Sequence, residues 1–381
     1  MATPFTSKVD TLRPAYGFDD ISLAPGTDTI DPADVDLAQD FCGIPLASPI
    51  IASAMDAVVS PTTAGLIHAQ GCLAAINLEG LWFRYADPAQ CFAAIAAAPK
   101  ERVQALFAEV YAQPIDASLI PRRIAEMHAA GAPAIVAATP QAIGTYADAV
   151  IAAGVDLLII QSQVSSARHI ASGYAPLELS AFVARAGVPV AIGNTSNAAA
   201  AYALMEQGAA AIFVGVGPGN ACTTREVLGI GVPQVTAVSD VAAARDAYLA
   251  DCGRYVPVVA DGGIRKGGEI TKALAVGADA VMIGSPLARA SEAPGHGYNW
   301  GMAAPSPTLP RGTRIEVGTV GSIEQVLNGP SRVTDGSENL IGAVRQSAAA
   351  LGVRNVRGFR EVEVMHAPAA ATEGKSWQRG R

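Results

Sequence analysis

The chain has 381 residues, half of them apolar, 6% aromatic and 16% charged, with 38 glycines and a formal charge of −8. Disorder needs low hydrophobicity and high charge, and this composition has neither. Asp and Glu outnumber Lys and Arg 34 to 26 and no basic stripe occurs, which argues against nucleic acid as a partner. No uncharged apolar run reaches the roughly 20 residues of a membrane span, and the opening MATPFTSKVD lacks a basic-then-apolar leader pattern. The length suits one large α/β barrel or two small domains.

Eight short apolar runs are predicted as strands, near 49–53, 72–77, 134–138, 156–161, 188–193, 210–215, 256–260 and 279–284. Several follow one grammar: a helical run, a glycine, then the strand. AAGVDLLIIQS (152–162), RAGVPVAIGN (185–194), EQGAAAIFVG (206–215) and AVGADAVMIGS (275–285) are examples. A glycine after a helix takes the left-handed conformation that other residues avoid. Apolar runs without alternation read as strands buried on both faces, hence as a parallel sheet. Eight such units predict an α/β fold, a single (β/α)8 TIM barrel. An open doubly wound sheet is weaker, because no G-x-G-x-x-G follows the first strand.

Two intervals are long. Residues 79–132 read as two helices that extend the barrel, and 216–255 opens with a glycine-rich loop. After the last strand, the Pro/Gly-rich stretch 294–313 has little helical character, and a loop of that length is usually functional. A helix at 337–350 and a polar tail at 370–381 close the chain.

The five cysteines, Cys42, Cys72, Cys91, Cys222 and Cys252, are odd in number and widely spaced, with no CxxC. Free thiols in a reducing cytoplasm fit this best. Four of them read as small buried apolar residues; Cys222 reads differently.

In a (β/α)8 barrel, chemistry collects at the C-terminal ends of the strands. Those positions hold Ser53, Met55, Asn77, Thr139, Ser162, Asn194, the loop 215–222, Asp261, Gly284 and Ser285. The last two strands end in ADGGI (260–264) and IGS (283–285), where backbone N–H groups make a phosphate cradle or, more plainly, tight turns. The loop GVGPGNACTTR (215–225) presents Cys222 among irregular backbone whose N–H dipoles favour a thiolate nucleophile. Asp261 is placed to accept from ribose hydroxyls, or to cap its own loop. Phosphate, ribose and a thiol together suggest a nucleotide whose base the sulfur attacks.

These residues carry a resemblance. YGFDDISLAP (16–25), PIIASAMDAVVSPTTAGLIHAQG (49–71), GPGNACTTREVLGIGVPQVTAV (217–238) and VPVVADGGIRKGGEITKALAVGADAVMIGSPLARASEAPG (256–295) resemble the IMP dehydrogenase/GMP reductase family over about residues 15–365. The chain looks most like the compact IMP dehydrogenase-related branch without the inserted CBS pair, whose place is taken by 79–132. The resemblance implies one catalytic barrel over 1–369, with an active-site flap near 296–317. It implies that Cys222 attacks C2 of IMP, that NAD takes the hydride, and that water hydrolyses the thioimidate to XMP. Ser53, Met55, Asn194 and Asn220 fall at substrate positions, and Asp261 at the ribose acid. Gly219, Gly262, Gly263, Gly284 and Ser285 match the phosphate site, and Gly301 and Met302 the Gly-Met against the purine. Thr139, Gln161, Ser162, Gly215 and Gly217 fall on the cofactor side. Thr224 and Glu292 match a proton-handling pair. The carbonyls of Gly217, Gly219 and Cys222 match a K⁺ site. The family forms homotetramers, in some members stacked into octamers.

The chain departs from the family pattern at several points. Gln161 replaces an Asp, Phe213 a basic residue, Asn299 a Tyr and Asn220 a Ser. The flap's water-activating Arg-Tyr dyad is incomplete: Arg311 and Arg314 are available, with Arg311 the candidate base, but no Tyr follows either. IMP dehydrogenase leads. GMP reductase with NADPH is the alternative, and a catalytically weak purine-nucleotide-binding regulator is the third reading.

Overall fold

The computed structural model describes residues 8–302 and 312–368. The eight apolar runs form β1 (Ile50–Ala52), β2 (Leu73–Asn77), β3 (Ile135–Ala138), β4 (Leu157–Gln161), β5 (Val190–Thr195), β6 (Ile212–Val214), β7 (Val258–Asp261) and β8 (Ala280–Ile283). They pair in parallel, each with its sequence neighbour, and β8 pairs with β1 to close the barrel. The missing alternation has its cause in the burial. Leu157 and Ile159 point into the barrel, while Leu158 and Ile160 face the helices, and all four are buried.

The principal crossover helices are α1 (Pro61–Ala69), α2 (Leu119–Ala129), α3 (Pro140–Ala152), α4 (Leu179–Ala186), α5 (Ala198–Glu206), α6 (Gln234–Cys252), α7 (Gly267–Ala275) and α8 (Leu340–Ala350). Left-handed glycines stop two of them: Gly187 (φ +67°) after α4 and Gly253 (φ +74°) after α6. A hairpin, Gln39–Phe41 with Ile44–Leu46, plugs the N-terminal end of the barrel with Phe41 and Leu46. Function is therefore left to the opposite end.

The long interval between β2 and β3 contains two extra helices, Ala89–Ala97 and Val103–Val110. They bring Phe92, Ile95, Phe107 and Tyr111 around the fully buried Trp300, forming a core separate from the barrel's. Ring centroids of Phe107 and Phe92 lie 5.9 and 6.2 Å from that of Trp300. The interval thus packs beside the chain that follows β8. That chain makes an antiparallel ladder, Tyr298–Trp300 with Arg314–Glu316. The ladder is the base of the expected flap. Residues 303–311, with Arg311, and the tail 370–381 lie outside the described residues.

Among the described residues no helix is long and apolar enough to cross a membrane. All five thiols are unpaired, yet the expectation of four buried ones needs correction. Only Cys72 is buried; Cys42 and Cys91 are partly exposed, and Cys252 is exposed near the end of α6.

Candidate active site

A cavity of about 1600 Å³ opens at the C-terminal ends of the strands. A ligand pocket ordinarily encloses roughly 300–1,000 Å³, so this one has room for two ligands side by side. Ser53, Met55, Thr139, Gln161, Ser162 and Asn194 line it from β1, β3, β4 and β5. Gly215, Gly217, Gly219, Asn220, Cys222 and Thr224 line it from the loop after β6. Asp261, Gly262, Gly263, Gly284, Ser285, Gly301 and Met302 complete the wall.

The turn after β7 depends on glycine. Gly262 (φ +86°) and Gly263 (φ +78°) are left-handed, and a Cβ on either would meet the Pro218 ring at 3.0 or 3.2 Å. Gly262 donates its N–H to the Met282 carbonyl at 3.3 Å, so it shapes the cradle rather than offering it a free donor. Ser285 Oγ donates to Asn220 Oδ1 (3.1 Å) and accepts from Asn299 Nδ2 (3.0 Å). Asn299 and Asn220, both departures from the family pattern, therefore hold one hydroxyl at the mouth of the cradle.

Cys222 precedes a short helix, Thr224–Leu228. Its Sγ lies 3.1 Å from Thr224 Oγ1. Gln163 Nε2 donates to the same Oγ1 at 3.1 Å. A hydroxyl that accepts from an amide keeps its own proton to give, so Thr224 is placed to donate to the sulfur when the sulfur is ionised. Cys222 N–H donates to the Gly219 carbonyl at 3.1 Å, which fixes the turn before the thiol. Arg225 clamps the loop through the carbonyls of Val216 (3.0 Å) and Val232 (2.7 Å).

Asp261 Oδ2 accepts from Asn194 Nδ2 (2.7 Å) and Gln161 Nε2 (3.2 Å), and Gln161 Nε2 also lies 3.0 Å from Asn194 Oδ1. Burial pushes the Asp261 carboxyl up to about 6, against the downward pull of the two amides. Gln161, expected on the cofactor side, thus bonds the residue expected to hold the ribose. An aspartate at 161 would set two carboxylates together and force one to stay protonated; the neutral amide avoids this. Gln234, unremarked in the sequence, props the same strand ends through the carbonyls of Val214 (2.7 Å) and Asp261 (3.2 Å).

Some expectations are placed differently. Glu292 does not line the cavity; its carboxylate accepts from Ser291 Oγ (2.9 Å) and from Ile323 N–H (3.1 Å) at the start of the helix Ile323–Asn328. A helix N-terminus attracts an anion, and the Glu292 carboxylate meets this one. Arg314 is engaged elsewhere: its guanidinium bonds the carbonyls of Ile95 and Ala96 and covers the Tyr298 ring at 4.3 Å. Phe213 points into the barrel core, fully buried. Thr139 caps α3, accepting from Ala142 N–H at 3.2 Å, while keeping its place on the cavity wall.

The carbonyls expected to hold K⁺ belong to Gly217, Gly219 and Cys222 of the thiol loop, and that of Gly219 accepts from Cys222 N–H at 3.1 Å. Among the described residues no group of three or more His, Cys, Asp or Glu could hold a metal ion. The donors offered by this loop are backbone oxygens, which suit a hard cation.

The IMP dehydrogenase / GMP reductase domain matches residues 15–303. The chain belongs to this family. An oxidoreductase of uncharacterised role from Mycolicibacterium smegmatis is 40% identical over 361 residues, 92% of this chain and 96% of that one. The crystal structure of an IMP dehydrogenase/GMP reductase-like protein from Corynebacterium glutamicum superposes with a TM-score of 0.87 at 38% identity, covering 93% of this chain and 95% of that one. Inosine-5'-monophosphate dehydrogenase from Haemophilus influenzae is 47% identical over 148 residues, which are 39% of this chain and 28% of that enzyme.

Proposed function

We propose that this chain oxidises IMP to XMP with NAD, through a covalent adduct on Cys222. The observation that carries this reading is the set Cys222–Thr224–Gln163 on the wall of a cavity large enough for a mononucleotide and a dinucleotide together. The thiolate adds to C2 of the purine, which makes the C2 hydrogen able to leave with its electron pair. NAD, when bound, supplies the acceptor for that hydride. Water then adds to C2 of the resulting thioimidate, and the thiol departs with the water's proton balance restored by a base. Asp261 accepts from the ribose diol. Gly263, Gly284 and Ser285 take the 5'-phosphate. Gly301 and Met302 pack against the base, and Thr139, Ser162, Gly215 and Gly217 border the second ligand. K⁺ would sit on the loop carbonyls and hold the thiol segment in its turn.

GMP reductase is the alternative reading. Arg314 is bound to the carbonyls of Ile95 and Ala96, so it is not free to activate water, which leaves Arg311 as the candidate base. A GMP reductase expels ammonia from the same adduct and activates no water, and NADPH then supplies the hydride. Incubation with IMP, NAD and K⁺, followed by NADH and XMP, tests the first reading. NADPH consumption with GMP, and silence with IMP, selects the reductase. Binding of nucleotide without turnover in either assay selects the regulatory protein. Unpaired thiols fit a reducing cytoplasm, the compartment we assign. Exposed Val227 (40%) and Ile230 (50%) beside the thiol loop fit burial in a homotetramer, which light scattering would test.

A further inference from the structure

We propose that Glu79 is a specificity-determining residue in the second ligand's half of the cavity. Its carboxylate takes the diol of the adenosine ribose and turns away a ribose that carries a 2'-phosphate, so the site favours NAD over NADP. The inference rests on the two-nucleotide reading above.

Glu79 lies two residues beyond β2 and lines the cavity, partly buried. Its backbone is held on both sides. The N–H donates to Asn77 Oδ1 at 2.9 Å, and the carbonyl accepts from Arg84 Nε at 2.9 Å. Asn77 is in turn tied to the Ala54 carbonyl at 3.1 Å. The side chain is held as well: Oε2 accepts from Thr139 N–H at 2.9 Å, where α3 begins. Among the described residues Oε1 accepts no hydrogen bond. A carboxylate has about four lone-pair sites, so this one is oriented and still has most of its acceptor capacity open.

The topology says which end of a dinucleotide it meets. Cys222 follows β6 and Glu79 follows β2, four strands apart either way around a ring of eight. The two therefore face each other across the mouth of the barrel. The ring that accepts the hydride must lie against the purine beside Cys222, so the end that reaches Glu79 is the adenosine. Near the start of α3, Gly144 lines the same cavity, and nothing lies within 4 Å of where its Cβ would be, which leaves room for a base.

Charge decides between the two ribose types. A helix N-terminus ordinarily attracts a phosphate. At α3 that place is taken by the Glu79 carboxylate, Pro140 has no N–H, and Ala142 N–H is donated to Thr139 Oγ1. A 2'-phosphate arriving here meets a charge of its own sign, whereas a diol brings two O–H donors to a charged acceptor. Arg84 also lines the cavity, but its Nε and Nη1 are engaged by the carbonyls of Glu79 and Gln113.

The test is Glu79→Gln in the full chain, which removes the charge and keeps an oxygen for Thr139 N–H. NADH and NADPH are titrated, by fluorescence and calorimetry, into wild type and variant saturated with IMP. IMP and a reduced dinucleotide exchange no hydride in either direction of the proposed chemistry, so binding alone is read. Wild type is expected to bind NADH at least about thirtyfold tighter than NADPH, and the variant less than about threefold tighter. A merely structural carboxylate would change both affinities alike, and an unchanged ratio overturns the inference. Wild type binding NADPH as tightly as NADH overturns it too, and hands the 2'-phosphate to Arg84. If wild type with IMP binds neither dinucleotide, the two-nucleotide reading falls and takes the inference with it. Should E79Q not fold, NADH lacking the 2'-hydroxyl of its adenosine ribose is titrated into wild type; about tenfold weaker binding than NADH is expected, and equal binding overturns the assignment.

Discussion

Asp261→Asn separates what this carboxylate does for nucleotide from what it costs the fold. Burial raises the carboxyl from 3.8 to about 6. That shift corresponds to about 3 kcal/mol against the ionised form, an upper figure because the side chain opens on the water of the cavity. The sign follows directly. Between about pH 4 and pH 6 the folded protein holds a proton that the unfolded chain has lost, so stability falls as pH rises through this window and stays lower above it. The variant has no such ionisation, so at about pH 8 it should melt higher than wild type, and the difference should vanish near about pH 4. Binding runs the other way. Only the carboxylate accepts from both ribose hydroxyls, so at about pH 5, where roughly a tenth of Asp261 is ionised, wild-type affinity for IMP should be about tenfold below its value at about pH 8. The nucleotide's own phosphate titrates near pH 6, so the quantity to plot is the ratio of wild-type to D261N affinity, in which that titration cancels. Calorimetric titration and thermal melts across this range supply both curves. A flat affinity ratio would refute the assignment of the ribose to Asp261, and a melting difference that does not change with pH would refute the raised carboxyl.

Cys222→Ser should abolish turnover and any covalent adduct while holding nucleotide affinity within about threefold; turnover retained in that variant would falsify the covalent mechanism. Thr224→Val removes the hydroxyl 3.1 Å from the sulfur and should slow adduct formation by about 10- to 100-fold at unchanged nucleotide affinity, as read by stopped-flow absorbance. Arg311→Ala should slow XMP release more than the NADH burst; equal loss of both phases removes Arg311 from the hydrolytic role.

The strands were legible because each carries its own evidence. LLII at 157–160 lacks alternation since alternate residues face two different cores, and both cores are buried. The strand-end positions were legible for the same reason: once the strands are placed, the fold decides which residue meets the cavity. What failed to show in the sequence are the partners of long polar side chains. Glu292 sits three residues beyond Arg289 in a motif-rich stretch, yet its carboxylate caps a helix that starts 31 residues later. Arg314 looked free for catalysis, and the two carbonyls that hold it belong to the inserted interval. Gln163 gave a faint signal, a second amide two residues after Gln161, which acquires meaning only when the Thr224 hydroxyl is brought to it across 61 positions.

By itself, then, the sequence determined the barrel, the ring of strand ends and the thiol on its glycine-rich loop, because hydrophobic periodicity and glycine placement act over a few residues and can be read locally. The tertiary structure alone decided how the polar groups are shared: Gln161 with Asp261, Glu292 with a distant helix, and Asp56, Tyr111 and Trp300 around one hydroxyl. Hydrogen bonds between side chains are short-ranged and directional, so their partners are fixed only after packing has brought separate stretches of chain within about 3 Å of each other.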